Sequence, residues 1–173
     1  MGARLDGLSK YAKTRRTYIG EYPAGVPIAS GVFLLDELVN GLSAAIREIK
    51  APTFSYFHVY PPHEPYAPRR EFARLFEDGW TPAEKPIHPL SLTLYPREEA
   101  LANRQRYDQY LAAWDAEFGR LLDEMKSSGQ LDKSIIAITS DHGELFERGE
   151  IGHNSFLLSS PIVHVPLFIS LPG

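Results

Sequence analysis

The run Ile135-Ile136-Ala137-Ile138-Thr139-Ser140-Asp141-His142-Gly143-Glu144 constrains the fold of this chain more than any other stretch. Its β-branched and apolar residues suit a buried strand, and they lead without a break into an acid, an imidazole and a glycine. In open α/β sheets ligands bind at the carboxyl ends of strands, so chemistry is expected at this strand's end. Read alone, Asp141-His142-Gly143 is either a capped turn or a pair of metal ligands. A hard oxygen beside an imidazole nitrogen suits Zn²⁺, Mn²⁺ or a mixed site. Adjacent residues share one ion only where the backbone bends sharply, and Gly143 is expected to supply that bend.

The neighbouring segments supply the rest of an α/β architecture. Leu35, Leu38, Val39, Leu42, Ala45, Ile46 and Ile49 follow three-and-four spacing and predict an amphipathic helix over about 32–49. Asp36 and Glu37 near its start, and Arg47 and Lys50 near its end, complement the helix dipole. Thr53 to Tyr60 is aromatic and β-branched and predicts a strand, which empties into Pro61-Pro62-His63-Glu64-Pro65-Tyr66-Ala67-Pro68. Prolines on both sides of His63 restrict the backbone that carries it. A short helix is expected within 70–76, followed by a proline-rich surface excursion.

Pro96 opens a long helix with Glu98 and Glu99 in its first turn, and Gly129 closes it. Tyr107, Leu111, Trp114, Phe118, Leu121, Leu122 and Met125 form its apolar stripe. Asp115 lies beside that stripe and would need a partner if buried. Val165 to Ser170 predicts a third strand. Strand, long helix and strand make a βαβ crossover, so the expected fold class is α/β, a three-layer αβα arrangement with a mainly parallel sheet. Residues 1–31 read as an irregular lead-in, and 32–173 as the α/β core of a single domain.

Composition excludes several classes. The chain has 173 residues, no cysteine and a net charge of −4. Disulfides, thiolate metal sites and a cysteine nucleophile are therefore absent from these residues. No broad basic surface recommends nucleic acid or an anionic membrane as partner. No apolar run approaches the roughly 18 residues of a membrane helix, and Met1 to Asp6 lacks the apolar region of a secretory signal. A cytoplasmic protein is expected if the chain is complete.

Among the histidines, His63, His142 and His153 lie in loops after predicted strands or beside a glycine. His153, in Gly152-His153-Asn154, is either a polar loop residue or a second imidazole near His142. His58 reads as a satisfied core or sheet-face residue, His164 as a packing residue, and His88 has no assigned role. Glu144 and Glu147 read as solvated, with Glu144 alternatively orienting a ligand.

The order of these pieces resembles the sulfatase family of the alkaline-phosphatase-like superfamily. The similarity spans Tyr107 to Gly173 and returns over Phe54 to Pro68. Tyr107-Asp108-Gln109-Tyr110 and Asp115 to Leu122 resemble that family's long helix before the metal strand. Gly129 to Ile135 followed by Thr139-Ser140-Asp141-His142-Gly143-Glu144 is similar to its most recognisable motif. Gly152-His153, Val165-Pro166-Leu167 and Pro172-Gly173 match the segment after it, and His63-Glu64-Pro65-Tyr66 resembles its His-x-Pro loop.

The resemblance implies a divalent metal ion (Ca, Mn or Zn) at Asp141 and His142. It implies that His63 contacts the transferred group or protonates the leaving oxygen, and that His153 helps bind the anion. Members of the family carry further metal-ligating acids on a first strand and a nucleophile downstream. Neither that strand nor a Cys-x-Pro-x-Arg motif or its equivalent is visible here, and Ser159-Ser160 stands where many relatives have an aromatic and acidic pair. The implied chain is a partial alkaline-phosphatase-like domain holding part of an active site, inactive when isolated. Its expected function is hydrolysis of a small-molecule or glycan sulfate ester. The alternatives are a phosphoesterase or a phosphoryl or phosphoglycerol transferase of the same superfamily, or a non-catalytic remnant of the fold.

Overall fold

The computed structural model describes residues 12–13, 32–33, 35–77, 79–92, 94–153 and 158–172. Most of the lead-in lies outside these residues, as does Asn154. The elements in chain order are β1 (Ala12–Lys13), β2 (Val32–Phe33), α1 (Leu35–Arg47), a 3-10 turn (Arg70–Phe72), α2 (Arg97–Ser127), a second 3-10 turn (Leu131–Lys133), β3 (Ile136–Thr139), α3 (Ser160–Val163) and β4 (Leu167–Ser170). None of these helices is long and apolar enough to cross a membrane. The chain divides into two compact units, Met1–Leu75 with Tyr107–Leu131, and Phe76–Arg106 with Asp132–Gly173.

The first unit is built on α1 and the carboxyl-terminal part of α2. Leu35, Leu38 and Val39 of α1 are buried, as are Tyr110, Ala113, Leu121 and Met125 of α2. The buried face of α2 thus follows helical spacing but is narrower than the apolar stripe, because Trp114 and Phe118 remain partly exposed. A polar clamp joins the two helices. Arg120 donates to Glu117 Oε2 at 2.9 Å, Glu124 Oε1 at 2.7 Å, Asn40 Oδ1 at 2.9 Å and the Asp36 carbonyl at 3.1 Å. Glu124 also accepts from the Ser43 hydroxyl and, at 2.9 Å, from Arg47. The buried acid of this helix is Glu117, not Asp115, which faces solvent and so has no need of a buried partner.

Gly129 ends α2 as expected. At φ 68° it lets Gln130 N–H reach the Met125 carbonyl at 2.9 Å, and its own N–H reaches Lys126 at 3.0 Å. This is the left-handed cap that glycine adopts without a Cβ clash.

In the second unit β3 and β4 pair antiparallel, from Ile136↔Ser170 to Thr139↔Leu167. The sequence predicts a mainly parallel sheet, but both described ladders, this one and β1–β2, are two-stranded and antiparallel. Among the described residues the predicted strand over 53–60 has no ladder partner; it is irregular and largely exposed, because a strand exists only where a neighbour completes its hydrogen bonds. His58 and His164 are exposed too, so neither packs as the sequence suggests. Leu167, Phe168 and Ile169 of β4 are all at least 60% exposed.

Hydrogen bonding by Ser43, opposed by burial and then reinforced by Arg120 and Arg47, holds the Glu124 carboxyl below the usual carboxylate range. A carboxyl depressed on folding stabilises above its unfolded pKa of about 4.3, and that stabilisation is lost as pH falls through the folded value. Glu124→Gln is therefore expected to lower Tm at neutral pH, with the gap from wild type closing in acid. A gap that stays constant from neutral to strongly acid pH would remove the ionic part of this clamp.

Candidate functional site

The end of β3 is closed mainly by bonds between short side chains and the backbone. Thr139 Oγ1 donates to the Pro166 carbonyl at 2.9 Å, and Ser140 Oγ to the His142 carbonyl at 2.6 Å. His142 N–H donates to Asp141 Oδ1 at 3.1 Å. Gly143 N–H donates to the Ile162 carbonyl at 2.7 Å. A Cβ on Gly143 would collide with the Pro161 carbonyl oxygen. Gly143 is not among the residues with positive φ, so it is required for close approach of two backbones rather than for a left-handed turn.

The chain then makes a hairpin. Leu145 N–H donates to Gly152 O at 3.0 Å, and Gly152 N–H returns to Leu145 O at 2.8 Å. At the tip Glu150 N–H donates to Glu147 O at 3.1 Å, across Arg148 and Gly149 with φ of 59° and 86°. Positive φ at both central residues is what a type I′ hairpin turn requires. The 85–95 segment holds this tip. His88 N–H donates to Arg148 O at 3.2 Å, Tyr95 N–H to Gly149 O at 3.0 Å, and Ser91 Oγ bonds the buried Glu150. Lys85 pairs with Glu147 at 2.8 Å.

This register places Glu144 opposite His153, one step beyond a hydrogen-bonded pair. Such positions form a close pair, with Cα atoms about 4.5 Å apart and side chains on one face. His153 Nδ1 lies 2.7 Å from Glu144 Oε1, and the two side chains are 18% and 7% exposed. The His142 and His153 rings stack with centroids 3.9 Å apart and a 32° tilt.

His142 Nδ1 lies 2.9 Å from the Gly143 carbonyl, which can only accept, so Nδ1 carries the proton and Nε2 the lone pair. Asp141 Oδ1 is 3.8 Å from that Nε2. Two donors each about 2.1 Å from one ion can lie up to about 4.2 Å apart, so the pair fits a shared divalent ion. Asp141 itself is 67% exposed. A second donor set, His142, Glu144 and His153, has ligand atoms within 4.8 Å of one another. Its carboxylate is already engaged by His153.

His63 lies in the first unit. Its N–H closes a turn onto Tyr60 O at 3.1 Å, and its Nδ1 donates to the Glu64 carbonyl at 2.8 Å. Its ring lies against Tyr60, with centroids 4.3 Å apart and the phenol oxygen 3.4 Å from Nε2. Tyr66, Ala67 and Pro68 beyond it are buried, and Tyr66 meets Tyr107 of α2 edge-on at 5.3 Å. Glu144, which the sequence leaves either solvated or orienting a ligand, bonds His153, and Glu147, read as solvated, pairs with Lys85. The signal for the Glu144 bond is Gly149 between Glu147 and Glu150, a hairpin tip whose register pairs 144 with 153.

A sequence profile of the sulfatase family, described as Sulfatase, matches residues 8–173. A choline-sulfatase of Rhizobium meliloti (strain 1021) is 31% identical over 70% of this chain, which spans 26% of that protein. A phosphonate monoester hydrolase of Agrobacterium radiobacter superposes with a TM-score of 0.70 at 23% identity, covering 90% of this chain and 37% of that one. The latter likeness is one of fold.

Gly143→Ala is expected to destabilise the chain by about 1–3 kcal/mol, the range for overpacking a filled site. Urea denaturation followed by circular dichroism measures this; an unchanged midpoint would mean that the Pro161 carbonyl is free to retreat.

Proposed function

Because this chain belongs to the sulfatase family, we propose that it supplies part of a metal-dependent site that hydrolyses a sulfate ester. In this reading Asp141 and His142 are metal ligands, and His63 and His153 act on the transferred group. The observation that supports it is the His142 ring after β3, which stacks on His153 and has its Nε2 3.8 Å from an Asp141 carboxylate oxygen. A bound divalent ion would supply Lewis-acid stabilisation of the charge on the ester's oxygens. His153 would face the anion and stabilise charge that develops there. His63, with Nδ1 committed to Glu64 O, would pass a proton to the leaving oxygen through Nε2. The name of the choline-sulfatase relative favours sulfate over phosphate.

The three-layer αβα fold with a mainly parallel sheet belongs to the same proposal. Leu167, Phe168 and Ile169 form a run that is apolar on both faces, a pattern suited to a strand covered by helices on each side. The chain spans about a quarter of the choline-sulfatase's length, so the activity proposed is that of a longer protein.

Calorimetric titration of the 173-residue chain with Ca²⁺, Mn²⁺ or Zn²⁺ is expected to show weak uptake. A site with few ligands must still order them on binding. Asp141→Ala and His142→Ala should each abolish that uptake; uptake indifferent to both would remove the metal assignment. Joined to a nucleophile-bearing strand, the chain is expected to turn over aryl sulfate, with His63→Ala lowering kcat by about 10²–10⁴-fold. Preference for aryl phosphate would reassign the substrate class. Comparable turnover by the 173 residues alone would overturn the shared-site reading.

A further inference from the structure

We propose that Glu144 is a positioning residue for His153, fixing its tautomer and ring plane so that the imidazole acts through Nε2. This inference rests on the reading of His153 as a site residue and adds the group that sets it.

The reciprocal Leu145–Gly152 bonds and the Arg148-Gly149 turn fix the hairpin register, and that register alone sets Glu144 across from His153. A one-residue slip would send these side chains to opposite faces. Glu144 is only 7% exposed. A carboxylate with so little water needs strong donors, since an unpaired buried charge is costly. His153 Nδ1 at 2.7 Å is such a donor.

The direction of that bond follows from chemistry. An ionised carboxylate only accepts, so Nδ1 must carry the proton. When the ring is neutral its lone pair is then on Nε2, the atom left to take a proton, meet an anion when protonated, or ligate. His142, stacked 3.9 Å away, limits rotation of the ring about its remaining bond. His63 and His142 make a comparable bond to the carbonyl one residue on, which any loop can offer. His153 instead uses a side chain nine residues away, so its tautomer depends on the identity of residue 144. Carboxylate–imidazole pairs of this kind orient rings in many sites, and their loss typically costs 10–100-fold in affinity or activity where the ring binds metal. The His–Glu bond also explains why His142, Glu144 and His153 approach one another without requiring an ion among them.

Long-range ¹H–¹⁵N correlation spectra of the imidazole rings, taken at alkaline pH on the 173-residue chain, read the tautomer directly. His153 is expected as the Nδ1–H form in wild type and in Glu144→Gln, whose amide oxygen still accepts. Glu144→Ala should return it to the Nε2–H form that an unconstrained imidazole prefers. Asp141→Ala should leave it unchanged, so loss of the metal assignment and loss of this inference are separate results. An Nε2–H form in wild type would overturn the proposal without any variant. Persistence of Nδ1–H in Glu144→Ala would overturn it too, as would a Zn²⁺-dependent loss of the Nδ1 proton.

Discussion

Two hydrogen bonds between Leu145 and Gly152 set the terms for the whole region after β3. They are short-range and backbone-made, and they depend on a turn in which Arg148 accepts a left-handed conformation that glycine takes more readily. With that register in place, an acid and an imidazole meet at 2.7 Å, and the second imidazole stacks on the first. Without it, the same residues would be polar groups on a loop. The hairpin tip is in turn held by the 85–95 segment, whose backbone bonds reach Arg148 and Gly149. Residues outside the candidate site therefore determine where its side chains stand.

Much of this was legible in the chain itself, and the limits are physical. Helix periodicity is local, so α1 and α2 emerge within a few residues of their expected bounds, and Gly129 closes α2 as its composition predicts. The histidines after β3 stand out by their place beside a glycine, and in the structure the His142 and His153 rings stack at 3.9 Å. Strand identity is less local. Thr53 to Tyr60 has every compositional mark of a strand, yet composition cannot supply the neighbour that a ladder needs. The direction of pairing between β3 and β4 is also invisible in either segment alone. Asp115 and Glu117 show the same limit on a helix, since two residues decide which acid faces the partner helix and which faces water.

Charge is handled differently in the two units. In the first, Arg120 and Glu124 spread several partners across two helices, so charge serves to lock helix against helix. In the second, the acids and imidazoles near β3 lie on adjacent turns of one short segment, where backbone geometry does the locking. The first arrangement is redundant, as each group has more than one partner. The second relies on the hairpin register that sets Glu144 opposite His153.

Three consecutive residues at the end of β3 consequently fail in different ways. Asp141 is mostly exposed and its carboxylate accepts from the His142 N–H, while the His142 ring bonds the Gly143 carbonyl and stacks on His153. Gly143 has no reactive group, and the carbonyl of Pro161 occupies the space where a side chain would begin. In the proposed reading, replacing either of the first two removes a metal ligand, whereas replacing the third strains the scaffold that presents them. A loss-of-function screen across Asp-His-Gly would thus record one phenotype with two unrelated origins, and only a measurement of folding would tell them apart.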